Sequence, residues 1–518
     1  MSATSDLPVS DSAVQIDAGK GAPSSPPRDG NSVPQPRNSK PARLHLAPLD
    51  GARGLASLWV VMEHYASSRM VGGRKVYSGG DARWFLAHGN AAVSYFLVLS
   101  GFVTSYAYGQ RDFNPEARFL FWRKRFTRVA LSYYAALALG IALLRLSIRI
   151  HNLSIPFHWR RLLPEVLMAQ STVASFGNYN SVSWTISTLS CCWLLYPAMQ
   201  PRLRHASLAQ LSAVVVGCVV SNAGMWLLLA GSVVGGSEPL EWIPAWLPGS
   251  GVTDAGYPCL EKLFHVSPVV RLPDFVLGAA CAQLLRHGIA AEWFPWRWVA
   301  SGSILAAVAI AAHGWGDVEC GRAAGWPPAG PASVYDVCAG RLAFSSCLSP
   351  LFAAFMLGSA AHCQQSRQRA MDATDCAGGG GGGVGGDVRA GGGPLLAFFS
   401  SRAMASVGAL SLQVYVFQEP THNLWLMLEG PNLQVGNPQF GPYLVFFLLS
   451  LWILAAAFAT YVEGPFMRAM ASKWKRAPPA EWTVRAGNRL LGTVAAVYWS
   501  LSVGVLVAGC SLAYAALS

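Results

Sequence analysis

Two residues in one apolar run stand out for the chemistry they could do. Arg53 and His64 lie eleven positions apart in Leu49-Asp-Gly-Ala-Arg-Gly-Leu-Ala-Ser-Leu-Trp-Val-Val-Met-Glu-His-Tyr. At ~100° and ~1.5 Å per residue they fall within roughly 20° of one helix face, ~16 Å apart along the axis. A guanidinium and an imidazole are costly inside a bilayer, so such a pair reads first as functional. An imidazole suits a general base at neutral pH; a packing histidine bonded to a neighbouring helix is the plainer reading of His64. Asp50 and Glu63 flank the pair. Glu63, adjacent to His64, points about 100° away on a helix and is expected to orient it poorly.

Arg125-Phe-Thr-Arg128 sets two guanidiniums on one helical face, a spacing that can grip phosphate bidentately or simply mark a membrane edge. Ser100-Gly101-Phe102 lies in a second apolar run, where glycine permits close helix approach and serine can hydrogen-bond.

Composition says what must position these groups. Of 518 residues 53% are hydrophobic and 12% charged, with a mean hydropathy of +0.34, whereas a soluble domain is about a quarter charged. An all-α, polytopic transmembrane bundle is expected. Apolar stretches that can cross a ~30 Å core occupy approximately 49–68, 90–109, 129–148, 181–200, 208–231, 268–286, 296–314, 341–361, 403–427, 441–462 and 491–516, about eleven spans within a range of ten to twelve. A shorter stretch, 162–176, is expected to re-enter or lie at the interface. The connections 110–128 and 463–490 are rich in Lys and Arg and belong in the cytoplasm; 232–267 and 428–440 belong outside. With these assignments the N-terminus is cytoplasmic. The net charge of +12 is thereby explained by orientation, without nucleic acid.

Residues 1–42 are rich in Ser, Pro, Asp and Gly and read as a disordered tail. No apolar leader precedes Leu49, so the first span is expected to direct insertion. The tract beginning at Gly378 makes 362–394 a flexible loop, and 471–518 adds a basic connection and an extra span to a main domain at 43–470. The eleven cysteines are mostly apolar fillers, although Cys320 and Cys338 could pair in an outer loop. No spacing supports a metal site. Asn152-Leu-Ser is a formal glycosylation sequon.

Taken together, Leu49-Asp-Gly-x-Arg-Gly with His64, Ser94-Tyr-Phe-Leu-Val-Leu-Ser100-Gly-Phe, Arg125-x-x-Arg128 and Ser183-Trp184-Thr-Ile-Ser resemble the membrane-bound acyltransferase 3 family. Arg271-Leu-Pro-Asp274-Phe-Val-Leu-Gly278, Val407-Gly-Ala-Leu-Ser-Leu-Gln-Val-Tyr415 and Tyr461-Val-Glu463-Gly-Pro465 resemble its later landmarks. The resemblance implies transfer of an acyl group, commonly acetyl, from acyl-coenzyme A at the cytoplasmic face to a hydroxyl of a glycan, lipid or other acceptor. Coenzyme A is then a co-substrate and no bound cofactor is implied. It also implies that His64 is the essential histidine and that Arg53, Arg125 and Arg128 serve the donor; Asp50, Ser100 and Trp184 are candidate supporting residues, and Asp274 is a candidate stand-in carboxylate for the histidine. Two positions depart from the family pattern: Leu189 stands where a Glu is common, and Gln418 where a His is common. They raise the alternative of a weak or inactive relative that binds or moves lipid. An unrelated transporter would be expected to show internal repeats, and none is evident.

Overall fold

Apolar stretches without internal water contacts must satisfy their backbone groups within the segment, and helices do so. The computed structural model describes residues 46–65, 68–71, 74–77, 85, 88–150, 159–173, 179–234, 265–289, 293–312, 332–376, 393–429, 440–476 and 480–515. Apart from a hairpin of β1 (Ser68–Val71) and β2 (Arg74–Tyr77), its regular elements are helical.

They run as α1 (Ala47–Tyr65), α2 (Asn90–Tyr108), α3 (Pro115–Ile150), α4 (Trp159–Val166), α5 (Trp184–His205), α6 (Leu208–Val234), α7 (Pro268–Arg286) and α8 (Trp296–Ala312). Then follow α9 (Ala332–Cys376), α10 (Gly393–Phe399), α11 (Arg402–Ala409), α12 (Ser411–Glu429), α13 (Phe440–Phe458), α14 (Gly464–Arg476) and α15 (Glu481–Ala515). Among the described residues, α2, α3, α7 and the run Pro442–Trp474 are long and apolar enough to cross a membrane, by length and composition.

Three element boundaries differ from expectation. The third helix starts at Pro115 rather than near residue 129, because proline suits a first helical position and Asn114 Oδ1 accepts from Ala117 N at 2.8 Å. The basic run 118–128 is therefore helical, not a loop. The stretch 403–427 is two helices broken at Leu410, each with its own start: Ser401 Oγ accepts from Met404 N at 3.3 Å to cap α11. The stretch 162–176 gives only the one-and-a-half-turn end of α4, a Met168 with φ of 52° and a 3₁₀ turn at Gln170–Val173.

Glycine sets the two closest helix contacts. A Cβ at Gly101 of α2 would overlap the Phe275 carbonyl of α7, and one at Gly278 of α7 would overlap the Val98 carbonyl of α2. The pair is reciprocal, so the backbones touch on both sides and neither position accepts a side chain. Likewise Gly51 of α1 abuts the Phe399 carbonyl, and Gly408 of α11 abuts the Asp50 carbonyl. The Asp-Gly-x-Arg-Gly signature thus docks α1 against α10 and α11. Near the far end, Gly89, which precedes α2, lies against Glu63 and Trp59 of α1.

The tail 1–42, the Gly378 tract, Asn152, Cys259 and Cys320 lie outside the described residues, as does the side chain of Cys338. So does most of the expected outer loop 232–267.

Candidate active site

His64 occupies the last turn of α1, and the helix that receives it is α12. Gln418 of α12 is fully buried and donates its amide N–H to the Tyr415 carbonyl at 2.8 Å. A carbonyl only accepts, so this bond fixes which end of the amide is nitrogen. Its Oε1 therefore faces His64 Nδ1, 3.0 Å away. That nitrogen must carry the proton, which leaves Nε2 of the neutral ring with a lone pair. A glutamine at the position of the family's histidine thus selects the tautomer of His64.

Contrary to expectation, Glu63 reaches the same imidazole: its Oε2 is 3.3 Å from His64 Nε2. Neighbouring α-carbons do point about 100° apart, but three side-chain torsions let a glutamate curl back at the frayed end of a helix. Glu63 is almost completely buried and the His64 side chain is 30% exposed. The carboxylate oxygen opposite Nε2 is placed to accept a hydrogen bond from that nitrogen when it carries a proton.

The segment leading into α5 is fastened to α12 as well. Asn180 Nδ2 donates to the Val416 carbonyl at 3.0 Å, and Ser181 donates to Glu419 from both its backbone N–H and, at 2.8 Å, its hydroxyl. Thr185 Oγ1 donates to the Tyr415 hydroxyl at 3.0 Å. Trp184, one residue earlier, packs at a tilt of 54° against His265 with ring centroids 4.6 Å apart. His265 is in turn held by Arg271, whose Nε donates to its carbonyl at 2.9 Å and whose Nη2 donates to its Nδ1 at 3.2 Å.

Asp274, expected as a possible stand-in carboxylate for the histidine, does something else. It accepts from Asn222 at 2.8 Å and Ser349 at 2.7 Å and pairs with Arg271 at 3.5 Å, tying α6, α7 and α9 together. Arg271 also donates to Ser94 at 3.2 Å, bringing in α2.

At the opposite end of α1, Arg53 donates to the Gly408 carbonyl from Nε at 3.2 Å and Nη2 at 2.9 Å. Asp50 stands 3.4 Å from the same nitrogen, Nη2. Arg125 is held by the later turns of α2: its Nη2 donates to Thr104 at 3.0 Å. The guanidinium carbon is 5.6 Å from the Tyr108 ring, 5.8 Å from Phe121 and 6.0 Å from Trp193, distances at which aromatic faces attract a cation. Ser100 accepts from the Trp193 indole at 3.0 Å, so it supports this cage and lies one ring removed from the arginine.

Arg128 separates from Arg125. One helical turn later its side chain is exposed while Arg125 is half-buried, so the two arginines expected to act as one fork meet different surroundings. Glu463 closes a π-turn, Ala459–Glu463, and accepts from Ser132 at 3.0 Å and from Gln413, which fastens α13 to α3 and α12.

Sequence reasoning missed Gln418 as a partner of His64, and Glu63, His265 and Arg271 as neighbours of the site. One clue was available: Arg271 and Asp274 are charged residues three apart inside an apolar run, a costly pair by the same rule that singled out Arg53. A cavity of about 310 Å³ between α3, α5 and α15, lined by Arg118, Trp122, Leu194 and Trp499, contains none of the expected site residues. Among the described residues no group of three or more His, Cys, Asp or Glu could hold a metal.

This arrangement, a histidine held by Gln418 and Glu63 at one end of α1, Arg53 at the other and Arg125 among aromatic rings, sits within residues 46–462, which match the family described as the acyltransferase domain. The chain belongs to that family, whose members are membrane proteins. It is also similar to the acyltransferase MdmB of Streptomyces mycarofaciens, with 27% identity over 279 residues, covering 52% of this chain and 64% of that protein. The chain thus spans somewhat less than two thirds of that relative's length. No solved structure matches it.

Proposed function

We propose that this protein is an integral-membrane acyltransferase that moves an acyl group, acetyl in the simplest case, from acyl-coenzyme A to a hydroxyl of a glycan, lipid or other acceptor. In this reading the chain crosses the bilayer about eleven times with its N-terminus in the cytoplasm, and the donor enters at the arginine end of α1. The observation that carries it is the hold on His64: Gln418 keeps the proton on Nδ1, so Nε2 is ready to accept one from a hydroxyl.

Arg53, ~16 Å along α1 from His64, and Arg125 supply positive charge, which suits a polyphosphorylated donor whose reactive thioester lies at the end of a long arm. Arg128, exposed one helical turn from Arg125, would meet its phosphates from the outside.

The test uses the full-length protein in detergent or nanodiscs with radiolabelled acetyl-coenzyme A, following label in water-soluble product and in an added hydroxyl acceptor. Wild-type protein is expected to release or transfer label, and His64→Ala to abolish it while eluting as the same monodisperse peak. Transfer undiminished in His64→Ala overturns the proposed role of that residue. Absence of transfer with any donor, together with saturable lipid binding, favours the lipid-handling alternative.

A further inference from the structure

The last helix, α15, lies beyond the residues that match the family and meets them along a line that is not filled. It touches α3 at Gly487, where a Cβ would overlap the Phe119 ring, and Asn488 donates to the Pro115 carbonyl at 2.7 Å. By Gly492 it has come away, since a Cβ there meets nothing within 4 Å. It is fastened again at Trp499, whose indole donates to the Cys191 carbonyl of α5 at 3.2 Å. Between these two attachments lies the cavity of about 310 Å³ that Arg118, Trp122 and Leu194 line from the other side.

This space is apolar along its length and cationic at one end. Trp122 gives its indole N–H to the Trp193 carbonyl at 3.0 Å, as Trp499 does to Cys191, so neither ring keeps a donor for water in the space it lines. Arg118 stands one turn before Trp122, near the start of α3. Its Nε is shielded from water and has no hydrogen-bond partner among the described residues. The neighbouring carboxylates serve other cations: Asp112 pairs with Arg204 and Glu481 with Arg485, while Glu116 is exposed. Those bonds also set the direction of α5. Trp122 meets Trp193 while Asp112, before α3, meets Arg204, so α3 and α5 are antiparallel and the end of α5 lies by Arg118. There Arg202, exposed, bends back to the carbonyl of Ala198, another residue of the cavity wall, at 3.1 Å.

We propose that this cavity binds an anionic phospholipid of the surrounding bilayer, with one acyl chain lying between α3, α5 and α15 and the phosphate on Arg118. The helix α3 is long and apolar enough to cross a membrane, and Gly492 and Ala496 of the facing wall are exposed, so the space opens outward to lipid. Its volume is at the low end of the range for ligand pockets, about 300–1,000 Å³, which suits a single chain. Guanidinium grips phosphate through paired N–H groups, and anionic headgroups are the natural counter-charge for arginine at a membrane edge. A zwitterionic lipid brings the same phosphate with a cation of its own, which the two arginines disfavour. A free phosphate brings the charge without the chain. The lipid thereby fills the seam between the family domain and the helix appended to it.

The test uses delipidated full-length protein in detergent and counts retained lipid by native mass spectrometry. The probes are dioleoyl phosphatidylglycerol, dioleoyl phosphatidylcholine and glycerol 3-phosphate. Wild-type protein is expected to retain one phosphatidylglycerol saturably, phosphatidylcholine roughly 10-fold more weakly, and no glycerol 3-phosphate. Arg118→Gln should bring phosphatidylglycerol down to the level of phosphatidylcholine. Gly492→Phe introduces a side chain at a wall with room for it and should abolish retention of both lipids with helix content unchanged; Ala496→Phe, on the same wall, makes the same test if that variant aggregates. Arg149→Gln, which changes an exposed arginine at the opposite end of α3, should behave as wild type. Equal retention of the two lipids, an Arg149→Gln loss as large as that of Arg118→Gln, or undiminished binding in the folded cavity variant overturns the proposal. Turnover enters none of these measurements, so their outcome is separate from that of the transfer assay.

Discussion

The two ends of α1 are built differently. At the His64 end, side chains from α1, α5 and α12 meet in a chain of hydrogen bonds that leaves each group one role. At the Arg53 end, glycines bring backbones together and Arg53 rests on the Gly408 carbonyl and the Asp50 carboxylate, while Arg125 lies among aromatic faces beside a threonine hydroxyl. The first arrangement is what a reacting centre needs, because misdirected protons cost orders of magnitude in rate. The second gathers positive charge of the kind that attracts a polyphosphate. The proposed function therefore puts chemistry at His64 and donor recognition at the arginines.

Substitutions should therefore divide by end, with kcat falling at one and KM rising at the other. His64→Ala is expected to have the largest effect, a loss of roughly 10²–10⁴ in kcat in a single-turnover assay with labelled donor. Gln418→Leu removes the group that selects the tautomer without touching substrate. We expect a roughly 10- to 100-fold fall in kcat, the equivalent of leaving one buried partner unpaired, and partial recovery in Gln418→Asn would argue against so strict a geometry.

Among the arginines, Arg125→Ala should raise the KM for acetyl-coenzyme A by roughly 10-fold while kcat changes little, since a charge-assisted contact is worth about 1.5–3 kcal/mol. If kcat falls and KM stays, the division between the ends is wrong. Arg128→Ala should be the mildest, below about 1 kcal/mol and vanishing at high salt, as befits an exposed cation. An Arg128 effect equal to that of Arg125 would restore the view of the two as one fork.

Gly408→Leu sharpens the comparison from the side of stability. A side chain there collides with the Asp50 carbonyl, and overpacking costs about 1–3 kcal/mol, so a lower melting temperature is expected with both kinetic constants disturbed together.

Much of the fold could be read from hydropathy because a membrane helix declares itself by length and composition. The helices lie where apolar stretches were expected, with Pro268–Arg286 matching the expected 268–286 and Trp296–Ala312 close to 296–314. The break at Leu410 was hidden, since α11 and α12 are apolar on both sides of it and only their capping geometry divides them. The long start of α3 was hidden for the opposite reason: basic residues lower hydropathy but do not stop a helix.

The site was half legible. Arg53, Arg125 and His64 announced themselves by being charged or titratable in apolar surroundings. Gln418 did not, because an amide in a helix looks neutral until the ring it faces is known. Glu63 was misjudged because helical projection fixes where a Cβ points and not where a long side chain ends. The separation of Arg128 from Arg125 depends on what packs against α3, which no spacing rule contains.

The bond between Arg53 and the Gly408 carbonyl spans 355 residues of chain. At roughly 5–20 residues per second of synthesis, the first helix waits roughly 20–70 s for the partner of its guanidinium to be made. Asp50, one turn away and already 3.4 Å from that guanidinium, is available from the outset. Asp50 is thus the partner within reach of Arg53 during synthesis, and the Gly408 carbonyl joins it when the distant chain folds back.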